Sequence, residues 1–139
     1  MGPRRHGREL AVQALYQIEV TEDASPRSLA LFLSHFEGGA EAKEFARRLI
    51  AGVLDHREEI DRRIKETAEH WKLDRIAKVD LVILRLATYE LLHCPDIPLN
   101  VSLDEAIEIG KRFGSADSST FINGILDKIA GACGPKTNG

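Results

Sequence analysis

Val79-Asp-Leu-Val-Ile-Leu-Arg-Leu-Ala-Thr-Tyr-Glu-Leu-Leu92 is the stretch that decides the fold. Wound as an α-helix, it is apolar around most of its circumference, and a helix apolar on all sides lies inside a protein or a membrane. It is shorter than the ~18 apolar residues of a membrane span, and it carries Asp80, Arg85 and Glu90. It is therefore read as the central buried helix of a bundle. Buried charges need partners. Arg85 and Glu90 are accordingly read as structural, paired with neighbouring helices, in preference to a partner-binding role.

Outward from this helix the pattern stays helical. Downstream, Pro95 and Pro98 close it and impose an extended link. Ser102-Leu-Asp-Glu105 has the form of a capping box and is read as the start of the next helix, which also accounts for the acids Asp104 and Glu105. Gly114 stops that helix, and a last one, about 117–131, buries Ile122, Ile125, Leu126 and Ile129. Upstream, Ile60, Ile64 and Trp71 mark one helix, with Glu58–Arg62 and Glu59–Arg63 on a solvated face. Phe45, Leu49 and Val53 mark another. Leu29, Leu33 and Phe36 follow a Ser25 cap with Pro26 at the first position, and Gly38-Gly39 ends that helix. Ala11, Ala14, Leu15 and Ile18 stripe a first helix, about 4–20. No strand alternation, internal repeat or low-complexity tract interrupts the series. The expectation is an all-α bundle of about seven helices.

Composition fits one domain over residues 1–139, with a basic arm at 1–8 and a frayed tail at 134–139. Hydrophobic residues make up 43% and charged residues 29%, ordinary for a soluble protein that buries a single core. The basic start lacks the apolar stretch of a signal peptide, and cytoplasm is the expected location. Cys94 and Cys133 are far apart and sit in no ligand-spaced motif, so reduced structural thiols are expected.

Enzyme signatures are missing: no glycine-rich phosphate loop, HExxH, CxxC or GxSxG occurs. The five histidines are scattered, none at ligand spacing from another, so no metal site, cofactor or catalytic residue is expected.

Two segments suggest binding. Arg4, Arg5 and Arg8 crowd the first eight residues, which hold no acid, in a chain with 19 Lys and Arg against 22 Asp and Glu. Arginine forks match phosphate geometry and stack on bases. A solvated basic terminus is the plainer alternative. The second segment, Lys111-Arg-Phe-Gly-Ser-Ala-Asp-Ser-Ser-Thr-Phe121, joins two helices through glycine, with basic residues before it and hydroxyls after. Open N–H groups at a helix start can hold phosphate or base edges. Phe121 lies one position before the Ile122 stripe, where its ring could stack on a base. Equally, Phe113 and Phe121 could be core residues and the serines caps.

The residues resemble a known family. Arg4-Arg-His-Gly-Arg-Glu-Leu-Ala-Val-Gln-Ala-Leu-Tyr16 is similar to the opening of the NusB family of bacterial transcription antitermination factors. Ile83-Leu-Arg-Leu-Ala-Thr-Tyr-Glu-Leu91 and Asp96-Ile-Pro98 resemble its middle. Asp104-Glu-Ala-Ile-Glu-Ile-Gly-Lys-Arg-Phe-Gly114 and Phe121-Ile-Asn-Gly-Ile-Leu-Asp127 resemble its end. Order and spacing agree over nearly the whole chain, least distinctively at 21–72.

The resemblance implies two packed helical sub-bundles and no enzyme activity. It implies binding of the single-stranded boxA sequence of ribosomal RNA leader transcripts together with NusE, a small-subunit ribosomal protein. The complex helps RNA polymerase resist termination and supports ribosomal RNA maturation. By motif position, Arg4, Arg5 and Arg8 would meet RNA, as would Lys111, Asp117, Ser118 and Phe121. Removing the three arginines is expected to weaken RNA binding and leave the fold intact. Some members form homodimers that cover the RNA surface. Tyr16, Trp71 and Asp80 are candidates for the NusE face, although core packing also explains Tyr16 and Trp71. The chain departs from the family pattern at His6 and Gly7, where arginine and alanine are common, and at Gly110, which replaces the usual alanine. Gly7 is expected to loosen the helix start. Two rivals are a protein-binding helical adaptor and a relative of the N-terminal part of ribosomal RNA cytosine methyltransferases. The chain ends at Gly139 without the glycine-rich cofactor loop of such an enzyme, which weighs against the latter.

Overall fold

In the computed structural model, residues 2–68, 70 and 72–132 are described, and among them every regular element is helical. The elements are α1 (Pro3–Thr21), α2 (Pro26–Ser34), α3 (Ala40–Asp55), α4 (Arg57–Thr67), a single 3₁₀ turn (Leu73–Arg75), α5 (Lys78–His93), α6 (Leu99–Phe113) and α7 (Ser118–Ala132). Trp71, Cys133 and the expected tail at 134–139 lie outside the described residues. The chain divides into two units, Met1–Gly52 and Val53–Gly139. No helix among the described residues is long and apolar enough to cross a membrane.

In the second unit α5 is the axis, packed against α4, α6 and α7. Every residue from Asp80 to Leu91 is buried, as an all-round apolar helix requires. Its two internal charges are satisfied by neighbours. Arg85 grips Asp61 of α4 with both prongs, Nε donating to Oδ1 at 2.8 Å and a terminal nitrogen to Oδ2 at 3.1 Å. Glu90 accepts a hydrogen bond from Ser102 Oγ of α6 at 3.0 Å. Cys94, which caps α5, is buried.

Ser102 also corrects the sequence expectation for α6. The helix begins at Leu99, directly after Pro98, and Ser102 lies inside it. Pro98 has extended backbone, φ −60° and ψ 147°, which places it as the cap. The capping-box pattern is coincidental, because the Ser102 hydroxyl turns inward to Glu90. Asp104 and Glu105 belong to the second turn and do not cap the helix.

In the first unit, Pro3 opens α1, where its fixed φ suits a first helical turn. The "arm" is therefore the first two turns of a helix. Ser25 caps α2 as its pattern predicts, its Oγ accepting from the Ser28 N–H at 3.2 Å. Asp23 Oδ1 accepts from the Ser25 N–H at 2.9 Å, and that backbone bond holds the Asp23 carboxyl below its usual range. α2 stops at Ser34, short of Gly38-Gly39. The Leu31 carbonyl is taken by the Ser34 hydroxyl at 2.6 Å and by His35 Nδ1 at 2.8 Å, so side chains end this helix before the glycines do. Gly7 has a packing role: a Cβ there would stand 2.8 Å from the Ala42 carbonyl oxygen. The missing side chain lets α1 and α3 meet backbone to backbone, and loosening of the helix start is not its main effect.

Candidate nucleic-acid interface

The basic start of α1 is organised around one aromatic ring. The guanidinium carbons of Arg4 and Arg8 lie 4.8 Å and 5.3 Å from the centroid of Phe45, and Arg48 of α3 lies 5.8 Å from it. A cation over an aromatic face gains about 0.5–1 kcal/mol when exposed and ~2 when desolvated. Phe45 gives these arginines a common platform. Arg4 and Arg5 are exposed, whereas Arg8 is only 2% exposed. Arg8 is thus packed as well as basic, and its removal is expected to touch the fold, unlike that of the other two. Arg48 was missed from the sequence. Its signal was the Arg47-Arg48 pair beside the Phe45 stripe.

On the same edge, His6 Nε2 lies 2.9 Å from the Glu37 carbonyl oxygen. A Cβ on Gly38 would stand 2.7 Å from that same His6 nitrogen, so a glycine at this position leaves room for the ring.

In the second unit, the turn between α6 and α7 collects the other candidates. Lys111 is exposed, its Nζ 3.4 Å from Glu108 Oε1, and Asp117 is exposed just before α7. Ser118 is 1% exposed; its Oγ accepts from the Ser115 N–H at 2.8 Å, which fixes the turn. Gly114 permits this, because a Cβ there would collide with the Ser118 side chain. Ser118 therefore shapes the turn from within, while Lys111 and Asp117 face outward. Phe121 is half-buried and lines an open cleft of about 240 Å³ with Thr67, His70, Gly124, Ile125 and Lys128. Lys128, one helical repeat of seven from Phe121, was also missed. Its i,i+7 spacing placed it on the Phe121 face of α7.

The candidates for the partner face are divided. Tyr16 is 40% exposed and Val20, one turn later, 54% exposed, so α1 carries an uncovered apolar stripe. Asp80 is buried in the first turn of α5, and its Oδ1 finds no hydrogen-bond donor among the described residues. A carboxylate there is favoured by the positive end of the helix.

The NusB family model matches residues 5–131. The chain belongs to the NusB family. Among its relatives, the transcription antitermination protein NusB of Geobacter sulfurreducens is 52% identical over 131 residues, covering 94% of this chain and 95% of that protein. The solved structure of T. maritima NusB superposes with a TM-score of 0.86 at 44% identity, over 98% of this chain and 96% of that one. A structure of the antitermination factors NusB and NusE in complex with dsRNA shares the fold, with a TM-score of 0.82 at 23% identity over 95% and 98% of the two chains. The NusB family is one of transcription antitermination factors and not of enzymes. The all-α architecture inferred from residues 79–92 outward is the NusB fold.

One further grouping lies outside both candidate regions. His56, Glu59 and His93, scattered in sequence, converge in the second unit. The solvated-face reading of Glu59 is corrected accordingly: its Oε1 meets His93 Nε2 at 2.6 Å.

Proposed function

We propose that this chain binds boxA RNA of ribosomal RNA leader transcripts together with NusE, in the cytoplasm, and so helps RNA polymerase read through terminators and supports ribosomal RNA maturation. The observation that carries this is the pairing of family membership with two chemically apt surfaces. One is an arginine cluster fixed on Phe45, and the other a half-buried Phe121 in an open cleft beside Lys128. The related NusB crystallised with NusE and dsRNA supports both partners.

The division of labour follows from the residue types. Arg4, Arg5 and Arg8, with Arg48, supply phosphate attraction, which gives affinity and salt dependence without sequence choice. Lys111 and Asp117 offer a donor and an acceptor to base edges, Ser118 holds the turn in shape, and Phe121 stacks on an unstacked base. Tyr16 and Val20 present an apolar stripe suited to a protein partner. The acidic chain and a basic ribosomal protein would attract one another at long range.

The test is a gel-shift titration of a short boxA RNA with the chain alone, with NusE alone and with both, combined with a mass measurement of the free and bound species. Tight binding by the pair, with one copy of each, supports the proposal. Equal binding of a scrambled RNA, or a homodimer that never opens to NusE or RNA, contradicts it.

A further inference from the structure

We propose that His56, Glu59 and His93 form a binding site for a divalent transition-metal ion, best suited to zinc, that fastens the start of α4 to the end of α5. His56 is the residue before α4, Glu59 lies in the first turn of α4, and His93 is the last residue of α5. One ligand atom from each side chain can be chosen so that all three lie within 4.8 Å of one another. Glu59 Oε1 is the hub, 2.6 Å from His93 Nε2 and 3.8 Å from His56 Nδ1.

The donor set is chemically specific. Two imidazoles and one carboxylate are borderline ligands preferred by zinc, copper and nickel over magnesium or calcium. With bonds of about 2.0–2.1 Å, tetrahedral coordination sets neighbouring ligand atoms roughly 3.4 Å apart. The two distances at Glu59 bracket that value, so a metal would open one contact and close the other, each by less than an ångström, and would draw together the two imidazole nitrogens, which lie within 4.8 Å of one another. Three protein ligands leave a fourth position for water.

Packing limits how far the ligands can wander. The rings of His56 and His93 stack at 3.9 Å between centroids with planes 20° apart, and Tyr89 stacks against both, at 5.9 Å and 5.7 Å. The three side chains remain 29–41% exposed, so an ion can enter from solvent. Of the neighbouring cations, Arg57 is drawn to Asp61 at 3.8 Å. None of the three ligands belongs to the RNA-facing set, so the site is separate in composition from the proposed RNA chemistry.

The experiment uses the whole chain stripped of metal, with Cys133→Ser to remove a competing thiol ligand, titrated with zinc chloride by calorimetry and by thermal melting. The expected result is one zinc per chain with Kd below about 10 µM, and a Tm that rises with zinc concentration. His56→Asn and His93→Asn should each weaken binding at least tenfold, and the double variant should abolish the zinc-dependent rise. Half-exposed histidines tolerate asparagine, and the zinc-free melting curve verifies that each variant folds. Absence of zinc uptake at a free concentration of about 1 mM, or uptake unchanged in the double variant, overturns the proposal.

Discussion

Two buried arginines behave differently, and the contrast separates the parts of this molecule that hold it together from those proposed to meet other molecules. Arg85, 6% exposed, is gripped by both oxygens of Asp61. Its charge is spent inside the second unit, and the geometry is the bidentate one that arginine alone provides. Arg8, 2% exposed, lies over Phe45 beside Arg4 and Arg48. A ring gathers these three guanidinium groups at one place. A carboxylate grip ties two helices of one unit together, while an aromatic platform groups the guanidinium groups proposed to meet phosphate.

The largest expected effect would break the first half of this comparison. Arg85→Ala leaves the half-buried Asp61 without its main partner and should destabilise the fold by about 3–5 kcal/mol, less to the extent that water reaches Asp61. Urea melts read the loss, and RNA affinity per folded molecule should be unchanged. An Arg85→Ala protein that melts like the parent but loses RNA would reverse the assignment. Next is Ser102→Ala, which removes a donor from buried Glu90 and should cost about 1–3 kcal/mol, again by urea melts. A neutral result would show that the other contacts of Glu90 suffice.

The second half is sharpened by separating Arg8 from its neighbours. Arg4→Ala with Arg5→Ala should weaken RNA binding by about 1 kcal/mol or more and leave Tm unchanged. It should also flatten the log–log salt dependence by up to ~0.7 per lost phosphate contact. Arg8→Ala should lower Tm as well as affinity, because its side chain is packed. An unchanged salt slope in the double variant would remove the start of α1 from the RNA surface. The smallest expected effect is at Gly7. Helix propensity alone would make Gly7→Ala stabilising by about 1 kcal/mol, but the new Cβ meets the Ala42 carbonyl at 2.8 Å. Calorimetry should therefore show no rise in Tm.

Most of the helix order was legible because it rests on periodicity, which is local. The all-round apolar run at 79–92 placed α5, and Ser25-Pro26 placed the start of α2. What escaped was long-range. The hydroxyl of Ser102 could serve a local cap or a distant carboxylate, and only the packing of α5 against α6 decides for Glu90. Glu59 looked like a solvated partner of Arg63 because its true neighbour, His93, is 34 residues away. Arg48 and Lys128 were missed for the same reason: each gains meaning from an aromatic side chain that the fold brings beside it. Gly7 read as a weak point of a helix, since a sequence does not display the carbonyl that needs its space.

Phe121→Ala tests the central claim most directly, because recognition and packing predict opposite outcomes for it. The half-buried ring at the Lys128 cleft is proposed to stack on a base, worth about 1–3 kcal/mol. One melting curve and one boxA titration in the presence of NusE should show affinity reduced about tenfold with Tm little changed. A strongly destabilised protein, losing about 3–5 kcal/mol as a core phenylalanine would, that still binds boxA at full affinity would contradict the account.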